Sequence, residues 1–262
     1  MKLQTQIPLE KESNNQIDYN SNILLLGSCF VENIGEKLNY FKFQNSINPF
    51  GILFHPKAIE NLIVNAVENK RYSDDDVFFQ NEQWHCFDAP SRLSSPDKVQ
   101  LLQTLNEALQ QTYKELKEAS HIIITYGTAW VYQLKDTQKF VANCHKIPQR
   151  EFDKKLILAE IQESIQNTIE LIQQVNPSAA FIFTVSPVRH IKDGFVENQQ
   201  SKSALITAVH QSIASVKKAS YFPSYEIMMD ELRDYRFYAQ DMLHPSDLAI
   251  DYIWQRFVET RL

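Results

Sequence analysis

Short apolar runs alternate along the chain with longer segments in which apolar residues recur every three or four positions. The short runs span residues 23–26, 121–130 and 179–187 and are typical of buried strands, the second ending at Gly127 and the third at Pro187. The longer segments predict amphipathic helices. We expect these helices after Gly27, at residues 57–69, 97–118, 153–175 and 201–218, and after the His-Pro-Ser-Asp sequence that starts at His244.

This alternation of strands and helices predicts the architecture. It is typical of α/β proteins, in which helices cover both faces of a mostly parallel sheet. No repeat, low-complexity tract or linker divides the sequence, so we predict one domain over residues 1–262. Two segments fit neither pattern and are expected to be insertions, near residues 71–98 and 128–150. The first mixes aromatic residues with turn formers, which is typical of a hairpin or a lid.

Composition excludes several classes of protein. The 262 residues are 44% hydrophobic and carry a formal net charge of −6, so neither disorder nor a basic nucleic-acid surface is expected. No apolar run approaches the about 18–20 residues that span a membrane, and the first residues lack the apolar centre of a secretory signal. Three cysteines make no disulfide framework. We therefore expect a cytoplasmic protein with no nucleic-acid or membrane partner; the oligomeric state stays open.

Polar residues of the types used in catalysis follow the predicted strands. The active sites of parallel sheets lie at this edge of the sheet. Ser28 follows Gly27 at the end of the first strand, with a helix behind it. A serine on such a turn can act as a nucleophile, because the helix N-terminus supplies N–H groups that stabilise an oxyanion. It can equally be an ordinary helix N-cap.

Two further positions extend this pattern. Gly51 lies in a loop, where its N–H can approach a ligand or simply serve a turn. Asp241 precedes His244 by three residues, a spacing at which a carboxylate can fix the imidazole tautomer so that histidine acts as a general base toward serine. The alternative is a buried structural histidine with a capping aspartate.

Taken in order along the chain, these residues resemble the SGNH (GDSL-type) hydrolases and, more closely, the GSCFA family within them. The similar segments cover nearly the whole chain: GSCFVENIG (27–35), NPFGILFHP (48–56), YGTAWVY (126–132), NCHKIP (143–148), TVSPVRH (184–190) and LRDYRFYAQDMLHPS (232–246). The resemblance implies a three-layer α/β/α sandwich around a mostly parallel, flavodoxin-like sheet.

The resemblance also implies catalytic roles. Ser28 matches the nucleophile, His244 the base and Asp241 its orienting partner, while the N–H groups of Ser28 and Gly51 match the first two oxyanion donors. The third donor in the superfamily is an asparagine, and here that position is Ala129. Losing one such donor costs about 10²–10³ in rate. Another polar residue can fill the role, and the candidates are Thr128 and Asn143.

Other residues have competing interpretations. Cys29 adjoins Ser28 and is an alternative nucleophile, although a cysteine at such a turn is more often a packing residue. The pairs His85-Cys86 and Cys144-His145 raise the question of zinc, but adjacent residues in extended chain point to opposite faces. We therefore predict neither a metal nor a cofactor.

Substrate contacts are expected from residues near the same strand ends. Arg189 can bind a carboxylate or phosphate through its fork of donors, or it can pair with an acid such as Asp241. His190, His145 and Trp130 are candidates to line the pocket, and Trp130 can stack on a sugar or belong to the core.

The function that these observations predict is hydrolysis of a small-molecule acyl ester, with acetyl on a carbohydrate-like alcohol as one substrate type. Ser28 attacks the carbonyl, His244 takes the proton, and water later releases the acid. An O-acyltransferase with the same triad is one alternative. A ligand-binding protein that retains the fold but is catalytically weak is another.

Overall fold

The computed structural model describes residues 5–262, which fold around a central parallel sheet. The strands, in chain order, are β1 (Asn22–Gly27), β2 (Gln44–Ile47), β3 (Phe78–Gln80), β4 (Gln83–His85), β5 (His121–Tyr126), β6 (Trp130–Leu134), β7 (Phe140–Val141), β8 (Phe152–Leu156), β9 (Ala180–Val185) and β10 (Ala219–Tyr221). The helices are α1 (Cys29–Tyr40), α2 (Pro56–Val67), α3 (Lys98–Glu118), α4 (Ala159–Val175), α5 (Phe195–Ile213), α6 (Ser224–Glu226) and α7 (Asp247–Arg261).

The central sheet has the order β10-β9-β5-β1-β2, and each neighbouring pair is parallel. Counted along the chain, the strands of this sheet lie in the order 2-1-3-4-5, which is the flavodoxin-like arrangement. This confirms the predicted fold class. Because all five strands run the same way, their carboxyl ends share one edge, to which Gly27 and Tyr126 belong.

Helices cover both faces of the sheet. Leu24 and Leu26 of β1 pack into a core cluster with residues of α2, α3, α4 and α5. The alternate residues Ile23 and Leu25 pack against α1 and α7 in a second cluster. Side chains alternate between the two faces of a strand, so the unbroken apolar run in β1 packs against the helices on both faces of the sheet.

Both predicted insertions carry strands of their own. The segment near residues 71–98 contains the antiparallel hairpin β3–β4. The segment near residues 128–150 contains β6 and β7, which pair with each other and, through β6, with β8 in a three-stranded antiparallel sheet.

The helix predicted at residues 153–175 starts late: residues 152–156 form β8, and α4 begins at Ala159. The prediction of helix at residues 153–156 was wrong because antiparallel pairing with β6 outweighs the local helical spacing. The strands β2, β6, β7 and β10 were not predicted, and the strand predicted at residues 121–130 ends at Tyr126, with β6 starting at Trp130. No helix within residues 5–262 has the length and apolarity that a membrane crossing requires.

Candidate active site

Ser28 stands at the turn between β1 and α1. Gly27 has φ +136°, and a Cβ atom there would lie 2.2 Å from the carbonyl oxygen of Thr125, so the turn requires glycine. Ser28 occupies the N-cap position of α1, yet its hydroxyl makes no capping hydrogen bond. The residue is 2% exposed, and within residues 5–262 its Oγ atom has no hydrogen-bond partner. The hydroxyl is therefore a buried polar group that the helix does not use.

The two main-chain amides that sequence reasoning assigned to an oxyanion hole are bonded within the chain. The N–H of Ser28 donates to the carbonyl of Thr125 (3.0 Å), and that of Gly51 donates to the carbonyl of Asn48 (2.7 Å). An oxyanion would have to share these donors with their present acceptors.

The thiol of Cys29 follows directly after Ser28. Burial, followed by the nearby charge of Glu32, raises its pKa. A raised pKa keeps the thiol protonated at neutral pH and disfavours it as a nucleophile, because the thiolate is the reactive form.

His244 and Asp241 form a hydrogen-bonded pair in the loop before α7. The Nδ1 atom of His244 lies 2.6 Å from Oδ2 of Asp241, and Oδ1 accepts the N–H of His244 (3.0 Å) and of Leu243 (2.9 Å). These donors, first among them the backbone N–H of His244, lower the pKa of Asp241 to about 2. The carboxylate is therefore charged at neutral pH and fixes the orientation of the imidazole.

The serine and the His–Asp pair lie at the same end of the fold without touching. The N–H of Arg189, which follows β9, donates to the carbonyl of Leu243 (3.0 Å) and anchors the His244 loop to the carboxyl edge of the sheet. The side chains of His244 and Asp241 are 49% and 45% exposed, whereas the Ser28 hydroxyl is buried. The hydrogen bond between Ser28 and His244 that a complete triad contains is not formed in this conformation.

A cleft of about 450 Å³ opens beyond the end of β5. Its lining contains five residues that sequence reasoning had assigned to the site, namely Thr128, Trp130, Asn143, His145 and His190. The other assigned residues, Ser28, Gly51, Arg189, Asp241 and His244, lie outside this lining. A larger groove of about 730 Å³ lies against α4 and α5 and contains none of the assigned residues.

The hydroxyl of Thr128 and the amide oxygen of Asn143 are hydrogen-bonded within the chain. Oγ1 of Thr128 accepts the N–H of Trp130 (3.1 Å) and shares a hydrogen bond with Oγ of Ser201 (3.1 Å). Oδ1 of Asn143 accepts the N–H of His145 (2.8 Å). Both residues line the cleft, but these bonds hold the surrounding loops.

The three histidines of the cleft, His55, His145 and His190, are neutral at ordinary pH; burial lowers the pKa of His55 to about 4. Burial lowers the pKa of His145 to about 4, and its Nε2 atom is 2.7 Å from the carbonyl of Cys86. Burial and then the charge of Lys202 lower the pKa of His190 to about 3. The Nε2 atom of His190 is buried with no partner among residues 5–262 and lies against Gly127.

Trp130 and Arg189 are held by aromatic and cationic neighbours. Nε1 of Trp130 donates to the carbonyl of Glu197 (3.1 Å), and the Lys154 ammonium lies 4.6 Å from the ring centroid. The guanidinium of Arg189 lies 3.9 Å from the ring centroid of Tyr238. Across residues 5–262 it makes no ion pair with Asp241 or with another acid, so it retains its capacity to bind an anion.

Sequence reasoning missed two buried residues at the same edge. Lys202 of α5 is fully buried, and its Nζ atom donates to the carbonyls of Gly127 and Ser186, each at 2.7 Å. Burial lowers its pKa to about 7. Its position three residues before Leu205, on the inward face of the helix, was the available signal. The second residue, Asn48, belongs to a segment that was noted only for Gly51.

The pairs His85-Cys86 and Cys144-His145 contain residue types that bind zinc. Both ring nitrogens of His85 have partners, Oγ of Ser94 (2.6 Å) and the carbonyl of Gln80 (3.0 Å). In the part of the chain that the structure describes, no group of three or more His, Cys, Asp or Glu side chains could hold a metal ion.

Comparison with known proteins identifies the family. The model of the GSCFA family matches residues 22–257. The chain therefore belongs to the GSCFA family, which confirms the resemblance seen in its motifs. A comparison with curated proteins gave no match.

Among solved structures, the chain is similar to a Streptococcus pneumonia protein provisionally described as a platelet activating factor, with 10% identity, a TM-score of 0.48 and coverage of 91% of this chain and 84% of that one. A Clostridium thermocellum family 3 carbohydrate esterase has 14% identity, a TM-score of 0.39 and coverage of 90% and 94%. A family 3 carbohydrate esterase from Talaromyces cellulolyticus has 10% identity, a TM-score of 0.42 and the same coverages.

Proposed function

We propose that this chain is a serine hydrolase of small-molecule acyl esters. The observation that carries the proposal is the Ser28 hydroxyl, buried behind a glycine turn at the N-terminus of α1, without the capping bond that would explain it structurally. Buried polar atoms usually have partners, and a catalytic role is one explanation for an atom that has none. The helix N-terminus behind the hydroxyl favours the negative charge that develops during acyl transfer.

In the proposed reaction, His244 takes the proton of Ser28 as the hydroxyl attacks the acyl carbonyl. Asp241 accepts a hydrogen bond from Nδ1–H of His244. This bond leaves Nε2 as the acceptor and stabilises the imidazolium that forms. The N–H groups of Ser28 and Gly51 contribute to binding the oxyanion by sharing their bonds to Thr125 and Asn48. Water, activated by His244, then releases the acid.

The cleft beside β5 is the proposed substrate site. Its volume of about 450 Å³ suits a small molecule. Trp130 offers a partly exposed aromatic face, neutral His190 and His145 offer ring nitrogens, and the Nδ2 amide of Asn143 supplies a further donor. Arg189, held on Tyr238 next to the His244 loop, contacts any anionic group of the substrate. An acetyl ester of a carbohydrate-like alcohol fits this combination.

An acyltransferase with the same triad stays as a second proposal in the same active site, because the two reactions differ only in whether water or an alcohol accepts the acyl group. One observation favours a third proposal, a binding protein without turnover: Ser28 and His244 share no hydrogen bond, and the His–Asp pair is half exposed. Catalytic hydrogen bonds are often long in enzymes without substrate, so this geometry does not exclude the hydrolase.

An assay of ester hydrolysis distinguishes the hydrolase, the acyltransferase and the binding protein. Purified wild type, Ser28→Ala and His244→Ala would be assayed with p-nitrophenyl acetate and acetylated monosaccharides, with and without glycerol as acceptor. We expect acid release that both variants lose, whereas His210→Ala, which changes an exposed histidine beside Tyr221, keeps it. Acyl glycerol as the main product would favour the transferase. Equal, background-level release from all four proteins would favour the binding protein.

A further inference from the structure

Asn48 is fixed at the end of β2, next to the nucleophile turn. Its N–H donates to the carbonyl of Leu25 (2.8 Å), and its carbonyl accepts the N–H of Gly51 (2.7 Å). The residue has φ +43° and is 2% exposed. Asparagine tolerates this left-handed conformation better than most residues.

The hydrogen bond to Gly27 sets the orientation of the Asn48 side chain. Oδ1 accepts the N–H of Gly27 at 2.9 Å, within the buried interior. An N–H can only donate, so the oxygen faces Gly27 and the amide nitrogen takes the other position. The Nδ2 atom is buried and, within residues 5–262, has no hydrogen-bond partner. Leaving such a donor unsatisfied destabilises the folded state, because the hydrogen bond that it makes to water in the unfolded chain is not replaced.

Two unpartnered buried groups thus flank Gly27. One is the Nδ2 donor of Asn48, whose own amide oxygen is bonded to Gly27, and the other is the hydroxyl of Ser28, the next residue. Oγ1 of Thr128 is bonded to Oγ of Ser201 and to the N–H of Trp130, and the amide of Asn143 lines a cleft whose lining does not include Ser28.

We propose that Asn48 is a catalytic residue, whose Nδ2–H donates to the oxyanion formed when Ser28 attacks an ester. This inference rests on the proposed function. As the bond from Oγ to the carbonyl carbon forms, the carbonyl π electrons move to the oxygen, which accepts the Nδ2–H bond, and the hydroxyl proton passes to His244. On collapse, the bond to the alcohol breaks and His244 returns the proton to the leaving oxygen.

Asn48→Asp is the discriminating substitution. Aspartate has nearly the same shape, tolerates positive φ and keeps an oxygen that accepts the Gly27 N–H, but it has no donor at the Nδ2 position. We expect kcat for p-nitrophenyl acetate, and the rate at which a fluorophosphonate labels Ser28, to fall about 10²–10³-fold, with KM within about threefold of wild type. Asn39→Asp makes the same charge change at an exposed position of α1 and should keep both rates.

Circular dichroism and thermal unfolding would verify that Asn48→Asp folds. If it does not, Asn48→Gly replaces it, since glycine adopts φ +43° without strain and also lacks the amide. Labelling of the folded variant at the wild-type rate would overturn the role of Asn48 and leave the hydrolase proposal standing. If wild type and Ser28→Ala were equally inert, both proposals would fall together.

Discussion

Asp241 binds His244 through both of its carboxylate oxygens: Oδ2 lies 2.6 Å from the imidazole Nδ1, and Oδ1 accepts the backbone N–H of the same histidine at 3.0 Å. One carboxylate therefore fixes both the ring and the main chain of His244. The loop is closed by a further bond, from the N–H of Ala239 to the carbonyl of His244 (2.7 Å). The orientation of the proposed base is thus built into the loop.

Asp241→Asn should reduce the rate of Ser28 labelling by about 10²–10⁴-fold, because an amide cannot stabilise the imidazolium or enforce the same tautomer. The measurement is the labelling rate with a fluorophosphonate, followed by intact mass. Asp234→Asn removes another exposed aspartate near the same loop, whose carboxylate pairs with Arg236 (2.9 Å), and should label like wild type. An Asp241→Asn rate within threefold of wild type would remove Asp241 from the mechanism.

Cys29→Ala should leave Ser28 labelling within about threefold of wild type. Burial raises the pKa of this thiol, so little thiolate is present at neutral pH, and the side chain acts in packing. The measurement is ester turnover and labelling of the variant beside Cys144→Ala, which alters a cysteine of the cleft. Loss of both activities in Cys29→Ala alone would identify the thiol, rather than the hydroxyl, as the nucleophile.

Lys202→Met should flatten the dependence of stability on pH between about 7 and 8.5. Burial lowers the pKa of Lys202 to about 7, while the unfolded chain keeps this proton up to about 10.4. The unfolded state therefore binds more protons over this interval, and the free energy of unfolding rises with pH. Urea titrations of wild type, Lys202→Met and Lys217→Met would test this, and an equal slope in all three would contradict the lowered pKa.

His145→Gln should reduce the loss of stability on acidification. Burial lowers the pKa of His145 to about 4, against about 6.5 in the unfolded chain. Between these values the unfolded state holds the extra proton, so the free energy of unfolding falls as pH drops from 6.5 toward 4, by up to about 1.4 kcal/mol per pH unit. Glutamine can still donate to the carbonyl of Cys86. Urea titrations at pH 5 and 7 that gave the same difference for variant and wild type would refute this.

The elements of the fold could be predicted where residues close in sequence determine the conformation. Runs such as residues 23–26 are apolar on both faces, which is typical of buried strands, and the spacing in α2 and α3 matches the helical period. The edge strand β2 was missed because its sequence, Gln-Asn-Ser-Ile, is short and polar and gains its pairing from β1 on one side. The start of β8 was taken as helix because only its pairing with β6, distant in sequence, decides its conformation.

In the candidate site, likewise, contacts between residues close in sequence could be predicted and contacts between distant residues could not. The spacing of Asp241 and His244 indicated their contact, because three residues in one loop suffice to bring them together. The contacts of Asn48 and Lys202 depend on partners distant in sequence: the N–H of Gly27 for the first, and the carbonyls of Gly127 and Ser186 for the second. The helical spacing of Lys202 indicated only that it faces inward. The absence of a hydrogen bond between Ser28 and His244 likewise depends on the relative position of two loops that are distant in sequence.

The most direct test of the central claim is intact-mass spectrometry after incubation with a fluorophosphonate probe. Wild type and Ser28→Ala would be treated side by side, and the modified peptide would be sequenced. The account predicts one adduct on wild type, located on Ser28, and none on the variant. No adduct on either protein, or an adduct on another residue that persists in Ser28→Ala, would contradict the assignment of Ser28 as an activated nucleophile.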